Sequence, residues 1–213
     1  MEVVIAGGHG KIALHLERLL SDSGHRVRAL IRRRDHDSDV REAGAEPVLC
    51  DLEREDDISH YVRGADAVVF AAGAGPGSGP ERKRTVDRDG AVKLIDAARR
   101  TGARRYVMIS SIGADDPSGG SESMRPYLEA KAEADRRLAD SGLDWTIVRP
   151  GRLTDSDGTG RVLVTADMSV RGEVPREDVA RVIAAALGTP ESIGKTFVLV
   201  SGDTPVDEAV SSL

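Results

Sequence analysis

Tyr127 and Lys131 stand four residues apart in Tyr127-Leu128-Glu129-Ala130-Lys131, a stretch with helical patterning. That spacing puts both side chains on one helix face, with Cβ atoms roughly 5–6 Å apart. A tyrosine with its ordinary pKa of about 10 is a poor acid–base group at neutral pH. A nearby ammonium favours the phenolate and brings that pKa down. Ser110 and Ser111 end an apolar run upstream, where a hydroxyl can hydrogen-bond a carbonyl oxygen. Together these groups suit one kind of reaction, in which a hydride moves to or from carbon while the phenol handles the proton at oxygen. Tyr127 is then the acid–base, Lys131 its electrostatic partner, and Ser111, ahead of Ser110, the carbonyl donor. Tyr-x-x-x-Lys alone is a common accident of surface helices, so the rest of the chain must supply a hydride carrier.

A carrier site is legible near the N-terminus. The apolar run Val3-Val4-Ile5-Ala6 enters Gly7-Gly8-His9-Gly10-Lys11-Ile12-Ala13, and a helical pattern follows through Leu14, Leu16, Leu19 and Leu20. A strand, a glycine turn and a helix in that order let a pyrophosphate approach the main chain and meet the positive end of the helix. Ala13 is small enough for the close helix–strand packing that a third glycine usually allows. His9 is either a contact to a phosphate or a solvent-facing loop residue. The end of the second strand reads Val27-Arg28-Ala29-Leu30-Ile31-Arg32-Arg33. An acid there would bind a ribose 2′-hydroxyl, whereas an arginine accommodates a 2′-phosphate. Arg32, with Arg33 or Lys11 adding charge, therefore favours NADP over NAD. Asp51, in Cys50-Asp51-Leu52, either accepts from an adenine amino group or caps a helix starting near Arg54.

The elements that must position these groups alternate along the chain. Strands are expected at 2–6, 26–31, 47–49, 67–71, 105–110, 144–148 and 196–200, and helices near 10–22, 54–62, 85–101, 123–141 and 175–187. Such alternation implies an α/β fold with βαβ units, a parallel sheet and helices on both faces. Two segments interrupt it at strand carboxyl ends, Gly73–Pro80 and Gly113–Ser121, the edge where open α/β sheets bind ligands. Beyond residue 151 the pattern weakens, and residues 151–213 read as a small substrate-side extension of a single domain spanning 1–213.

Composition narrows the partners. A net charge of −6 argues against general affinity for nucleic acid or anionic membrane. One cysteine, Cys50, allows no internal disulfide. No apolar run approaches a membrane span, and Met1-Glu2 leads directly into the first strand without a signal pattern, so a cytoplasmic protein is expected. The histidines show no metal-ligand spacing. A small-molecule substrate and a monomer or homodimer are the expected associations.

The order of these parts resembles the short-chain dehydrogenase/reductase superfamily. The chain looks most like its small atypical branch of NAD(P)-binding proteins, grouped with nucleoside-diphosphate-sugar epimerases, epimerase/dehydratase-like and NmrA-like proteins. The resemblance also takes in Val107-Met108-Ile109-Ser110-Ser111, Trp145–Thr154 and Arg176-Glu177-Asp178-Val179-Ala180. It implies a Rossmann-like, doubly wound parallel sheet of order 3-2-1-4-5-6 with a seventh strand added. It implies NADP at Gly7, Gly8, Gly10 and Ile12, with Arg32 at the 2′-phosphate and Asp51-Leu52 beside adenine. Ala71, Ala72 and Gly73 would border its ribose and phosphates, Lys131 and Ser110 would lie near the nicotinamide ribose, and Pro150 near the nicotinamide. The activity implied is an NADP-dependent oxidoreductase acting on a small carbonyl or alcohol. A non-catalytic NADP-binding regulator of the NmrA-like kind, or a flavin or quinone reductase, are the alternatives.

Overall fold

A strand covered on both faces must be apolar at every position, and alternate side chains then join two separate cores. The computed structural model, which describes residues 1–75 and 77–213, has this arrangement; Pro76, in the glycine- and proline-rich stretch, lies outside the described residues. The first half of the chain runs β1 (Glu2–Ala6), α1 (Lys11–Asp22), β2 (Arg26–Ile31), α2 (Asp37–Glu42), β3 (Glu46–Leu49), α3 (Ser59–Val62), β4 (Ala67–Phe70), α4 (Pro80–Arg82) and α5 (Ala91–Thr101). The second half runs β5 (Arg105–Ile109), α6 (Arg125–Ala139), β6 (Asp144–Pro150), β7 (Arg152–Thr154), β8 (Arg161–Thr165), β9 (Glu173–Pro175), α7 (Arg176–Gly188), β10 (Lys195–Ser201), β11 (Thr204–Pro205) and α8 (Val206–Ser211). Val3, Ile5, Val69 and Val107 face a core with α1, α7 and α8. Val4, Ala6, Phe70, Tyr106 and Met108 face another with α3, α5 and α6.

The sheet order is β3-β2-β1-β4-β5-β6-β10, all parallel, continued by β8 and β11. This is the Rossmann-like order with a seventh strand. The fold places the carboxyl ends of β1, β2, β4, β5 and β6 along one edge, where Gly7, Arg32, Ala71, Ser110 and Gly151 follow their strands.

Three stretches depart from the sequence expectation. The helix expected over 54–62 is reduced to Ser59–Val62. Asp51 and Asp57 accept the backbone N–H of Glu53 and Ser59, two residues on, and those local turns outcompete a helix that has little apolar surface to bury. The helix expected over 85–101 instead follows a π-helical stretch, Lys83–Gly90, that joins α4 to α5. Beyond residue 151 the chain forms strands that the sequence pattern does not predict. β8 pairs antiparallel with β10, and β11 with β8, while β7 and β9 form a separate parallel pair. These strands are short and half-exposed, so they carry too little alternation to be read from sequence.

Candidate functional site

The glycine turn is set by contacts that leave no room for side chains. Gly7 has φ +83°, and a Cβ on it would stand 2.6 Å from Ala72 Cα. A Cβ on Gly8 would stand 2.5 Å from the Ala29 Cβ. Gly7 thus lets the loop cross the end of β4, and Gly8 lets α1 close against β2. We expect Gly7→Ala to lower unfolding stability by about 2–4 kcal/mol, from left-handed backbone strain plus displacement of Ala72, as read by urea denaturation. The N–H groups of the first turn of α1 follow Gly10 directly, with no side-chain cap on them.

Above this turn lies a cleft that encloses about 220 Å³ and is lined on one side by Gly7, His9, Gly10, Ala71, Ala72 and Gly73. Its other wall is formed by Leu30, Arg32, Cys50, Asp51, Leu52 and Val86. The volume suits one half of a dinucleotide. The apolar wall of Leu30, Leu52 and Val86 suits a flat base, and Arg32 suits a phosphate. Arg82 reaches the same cleft from α4, and the Glu53 carboxylate lies between the two guanidiniums, 3.6 Å from Arg32 and 3.3 Å from Arg82. The Thr85 hydroxyl donates to Glu53 at 2.8 Å and fixes it there. Burial, then the Glu55 and Asp51 carboxylates, push the Cys50 thiol up to about 12, which leaves it no thiolate for chemistry.

The second cluster hangs from β5 and α6. The buried Lys131 ammonium donates to the Ile109 carbonyl at 3.0 Å and pairs with the fully buried Asp87 at 3.2 Å. Asp87 also accepts from the Ala74 N–H at 3.2 Å, tying the π-helical stretch to the loop that floors the cleft. Burial pulls the Lys131 pKa down, but Tyr127, Asp87 and Asp135 outweigh it and hold the ammonium above its usual value. Its Nζ is 5.8 Å from the centre of the Tyr127 ring. Tyr127 is half-buried, and its hydroxyl hydrogen-bonds to none of the described residues. Ser110 is nearly buried and donates to Asp135 at 2.9 Å; Asp135 in turn pairs with Arg149 at 3.0 Å. Burial holds the Asp135 carboxyl above its usual range, against the pull of Arg149 and Ser110. The Ser111 hydroxyl donates to the Ile112 carbonyl at 3.2 Å.

The sequence-predicted residues therefore divide. Gly7, His9, Gly10, Arg32, Asp51, Leu52, Ala71, Ala72 and Gly73 line one cleft. Gly8 packs beneath it, and Ile12 lies in the core. Lys11 does not line it; its ammonium pairs with Asp155 at 2.6 Å. Arg33 turns outward and pairs with Asp35 at 2.7 Å. Asp51 accepts from Glu53 within its own turn at 3.0 Å. Pro150 ends β6, buried.

Asp87, Asp135 and Glu17 escaped the sequence reading, yet they share a signal. Each is an acid on the apolar stripe of a helix: Ala13-Glu17-Leu20, Asp87-Ala91-Leu94 and Leu128-Lys131-Asp135-Leu138. Glu17 lies under the glycine turn with neither carboxylate oxygen hydrogen-bonded among the described residues, and burial pushes its pKa up to about 9. A carboxyl raised from 4.5 to about 9 on folding holds more protons folded than unfolded. The folded state is therefore favoured below pH 4.5, and that advantage is lost as pH rises towards about 9. We expect stability to fall by up to about 1.4 kcal/mol per pH unit across that window, and Glu17→Gln to flatten the slope in urea unfolding series.

Comparison with known proteins agrees with the fold. The NAD(P)H-binding family model matches residues 7–190. The chain is 38% identical to the uncharacterized sugar epimerase YhfK of Bacillus subtilis over 215 residues, covering 100% of both. A solved structure from Bacillus halodurans, named for an NAD-dependent epimerase/dehydratase, superposes with a TM-score of 0.95 at 42% identity and 100% coverage of both chains. The oxidoreductase ylbE from Lactococcus lactis superposes with a TM-score of 0.87 at 29% identity, covering 100% of this chain and 96% of that one.

Proposed function

The chain belongs to the NAD(P)H-binding family, and on that premise we propose that it is an NADP(H)-dependent oxidoreductase acting on a small carbonyl or alcohol. The observation that carries the reading is the pairing of two sites on one sheet edge: a cleft with an apolar wall that holds Arg32, and a Tyr127–Lys131 pair beyond β5. Gly7, Gly10 and the first turn of α1 would hold the pyrophosphate, Leu30, Leu52 and Val86 the adenine, and Arg32 with Arg82 the 2′-phosphate. The bound nicotinamide supplies or accepts the hydride. Tyr127, whose hydroxyl has no partner among the described residues, gives the proton to the substrate oxygen or takes it back. Lys131, kept charged by Asp87, stabilises the phenolate left behind. In this reading residues 1–213 act as one NAD(P)-binding unit, with 151–213 bordering the substrate. Support comes from β10 and β8, which carry that segment into the main sheet.

The test is to follow NADPH oxidation at 340 nm over a panel of small aldehydes, ketones and quinones, beside binding of all four nicotinamide dinucleotides. Turnover with NADPH and a carbonyl is the expected result, and failure to bind any dinucleotide would overturn it. A non-catalytic NADP(H)-responsive role is favoured by one observation: the Ser110 hydroxyl is committed to Asp135 and the Ser111 hydroxyl to Ile112. Tight NADPH binding without turnover of any carbonyl would select that role.

A further inference from the structure

The ring of His9 lies flat on that of His36, with centroids 3.6 Å apart and planes within 10°. Both line the cleft that holds Arg32. His9 rises from the glycine turn, and its Nε2 is 2.7 Å from the Asp39 carboxylate on α2, so its plane is fixed from both sides. His36 is not tied in this way. Neither of its ring nitrogens has a hydrogen-bond partner among the described residues, and its Nε2 is 3.8 Å from Asp35. An imidazole held rigidly, with its nitrogens unused and a guanidinium sharing its cleft, is a site prepared for an anion.

The charges around it are mixed. His9 stacks on it from the glycine turn. Asp35 and Arg33, in its own turn, pair with each other at 2.7 Å, and Asp39 on α2 is taken by His9. Across the cleft stand Arg32 at the end of β2, Glu53 after β3 and Arg82 on α4. Burial, then the neighbouring His9, hold the His36 pKa below its ordinary value, so the ring is neutral at pH 7 before a ligand arrives. A phosphate monoester brings a charge of about −1.5 to −2 and reverses that balance.

We propose that His36, held in place by stacking on His9, is a proton-dependent ligand of the 2′-phosphate, so that NADPH binds together with a proton and NADH does not. The inference rests on the NADP(H) reading above. In the binding step His36 takes one proton from solvent and donates an N–H hydrogen bond to a phosphate oxygen; no covalent bond changes. Affinity for NADPH then falls as pH rises from 6.5 to 8, while affinity for NADH stays level. The 2′-phosphate, with its own pKa of about 6, works in the opposite direction, because acid removes its negative charge.

Calorimetric titration of the full chain with NADPH and with NADH, each in two non-phosphate buffers of different ionisation enthalpy, tests this. At pH 7.5 the expected result is net proton uptake with NADPH alone, and a roughly tenfold loss of NADPH affinity between pH 6.5 and 8. His36→Gln should abolish the uptake and reduce the pH effect to less than about twofold. Proton NMR of the wild-type histidines gives a second reading that needs no variant: the His36 ring should titrate about two units higher with NADPH and not with NADH. NADPH binding with no proton uptake, uptake that survives His36→Gln, or an unmoved His36 resonance overturns the inference and leaves the oxidoreductase reading standing. Failure to bind either dinucleotide overturns both.

Discussion

Arg32→Ala should weaken NADPH binding by about 30- to 100-fold and change NADH binding by less than about threefold. A charge-assisted, bidentate contact to phosphate is worth about 2–3 kcal/mol, and each 1.4 kcal/mol is tenfold in affinity. The loss is not larger because Arg82, on the other side of Glu53, still offers a guanidinium to the same cleft. Arg32 is also half-exposed, so the contact is screened by salt and the difference between the two dinucleotides should shrink at high ionic strength. Titration calorimetry of the two reduced dinucleotides against both proteins measures it. An equal loss for NADPH and NADH would instead place Arg32 against the adenine, as a stacking group with no role at a 2′-phosphate.

Tyr127→Phe should cut turnover of the best carbonyl substrate by about 10²- to 10⁴-fold while leaving NADPH affinity within about twofold. The substitution keeps the ring that lies near Lys131 and removes only the hydroxyl, which no described residue holds in place. Stability should therefore change little, and stopped-flow single-turnover rates would assign the loss to chemistry. Because Asp87 pairs with Lys131 and helps hold it charged, Asp87→Asn should lower the same rate. A Tyr127→Phe enzyme that turns over at the wild-type rate would remove the phenol from the mechanism.

Much of the site was visible residue by residue, and much less of it was visible as a constellation. The glycine turn and Arg32 at the end of β2 are read from the order of elements, since in a parallel sheet every strand's carboxyl end arrives at the same edge, whereas Ala71-Ala72-Gly73 enter only through the family resemblance. In sequence, Arg33 or Lys11 could add charge beside Arg32. In the fold they pair with Asp155 and Asp35, and one of those partners lies on a distant loop after β7. The acids Glu17, Asp87 and Asp135 were legible as misfits on apolar helical stripes, but a stripe does not say what faces it.

That boundary has a physical origin. Strand alternation, the tight glycine turn and the i,i+4 spacing of Tyr127 and Lys131 depend on stereochemistry within a few bonds, so the chain alone determined the layered parallel sheet and the presence of a glycine turn between β1 and α1. The contacts of Lys131 with Asp87 and the Ile109 carbonyl join separate elements, as do Ser110 with Asp135, Arg32 with Glu53 and Arg82, and His9 with His36. Each requires groups remote in sequence to meet within hydrogen-bonding or van der Waals reach. Such meetings are decided by the order of strands, the register of each pair and the π-helical offset that turns Asp87 inward. Those are properties of the packed whole, where burial and charge compete over the same few ångströms, and no local pattern encodes them.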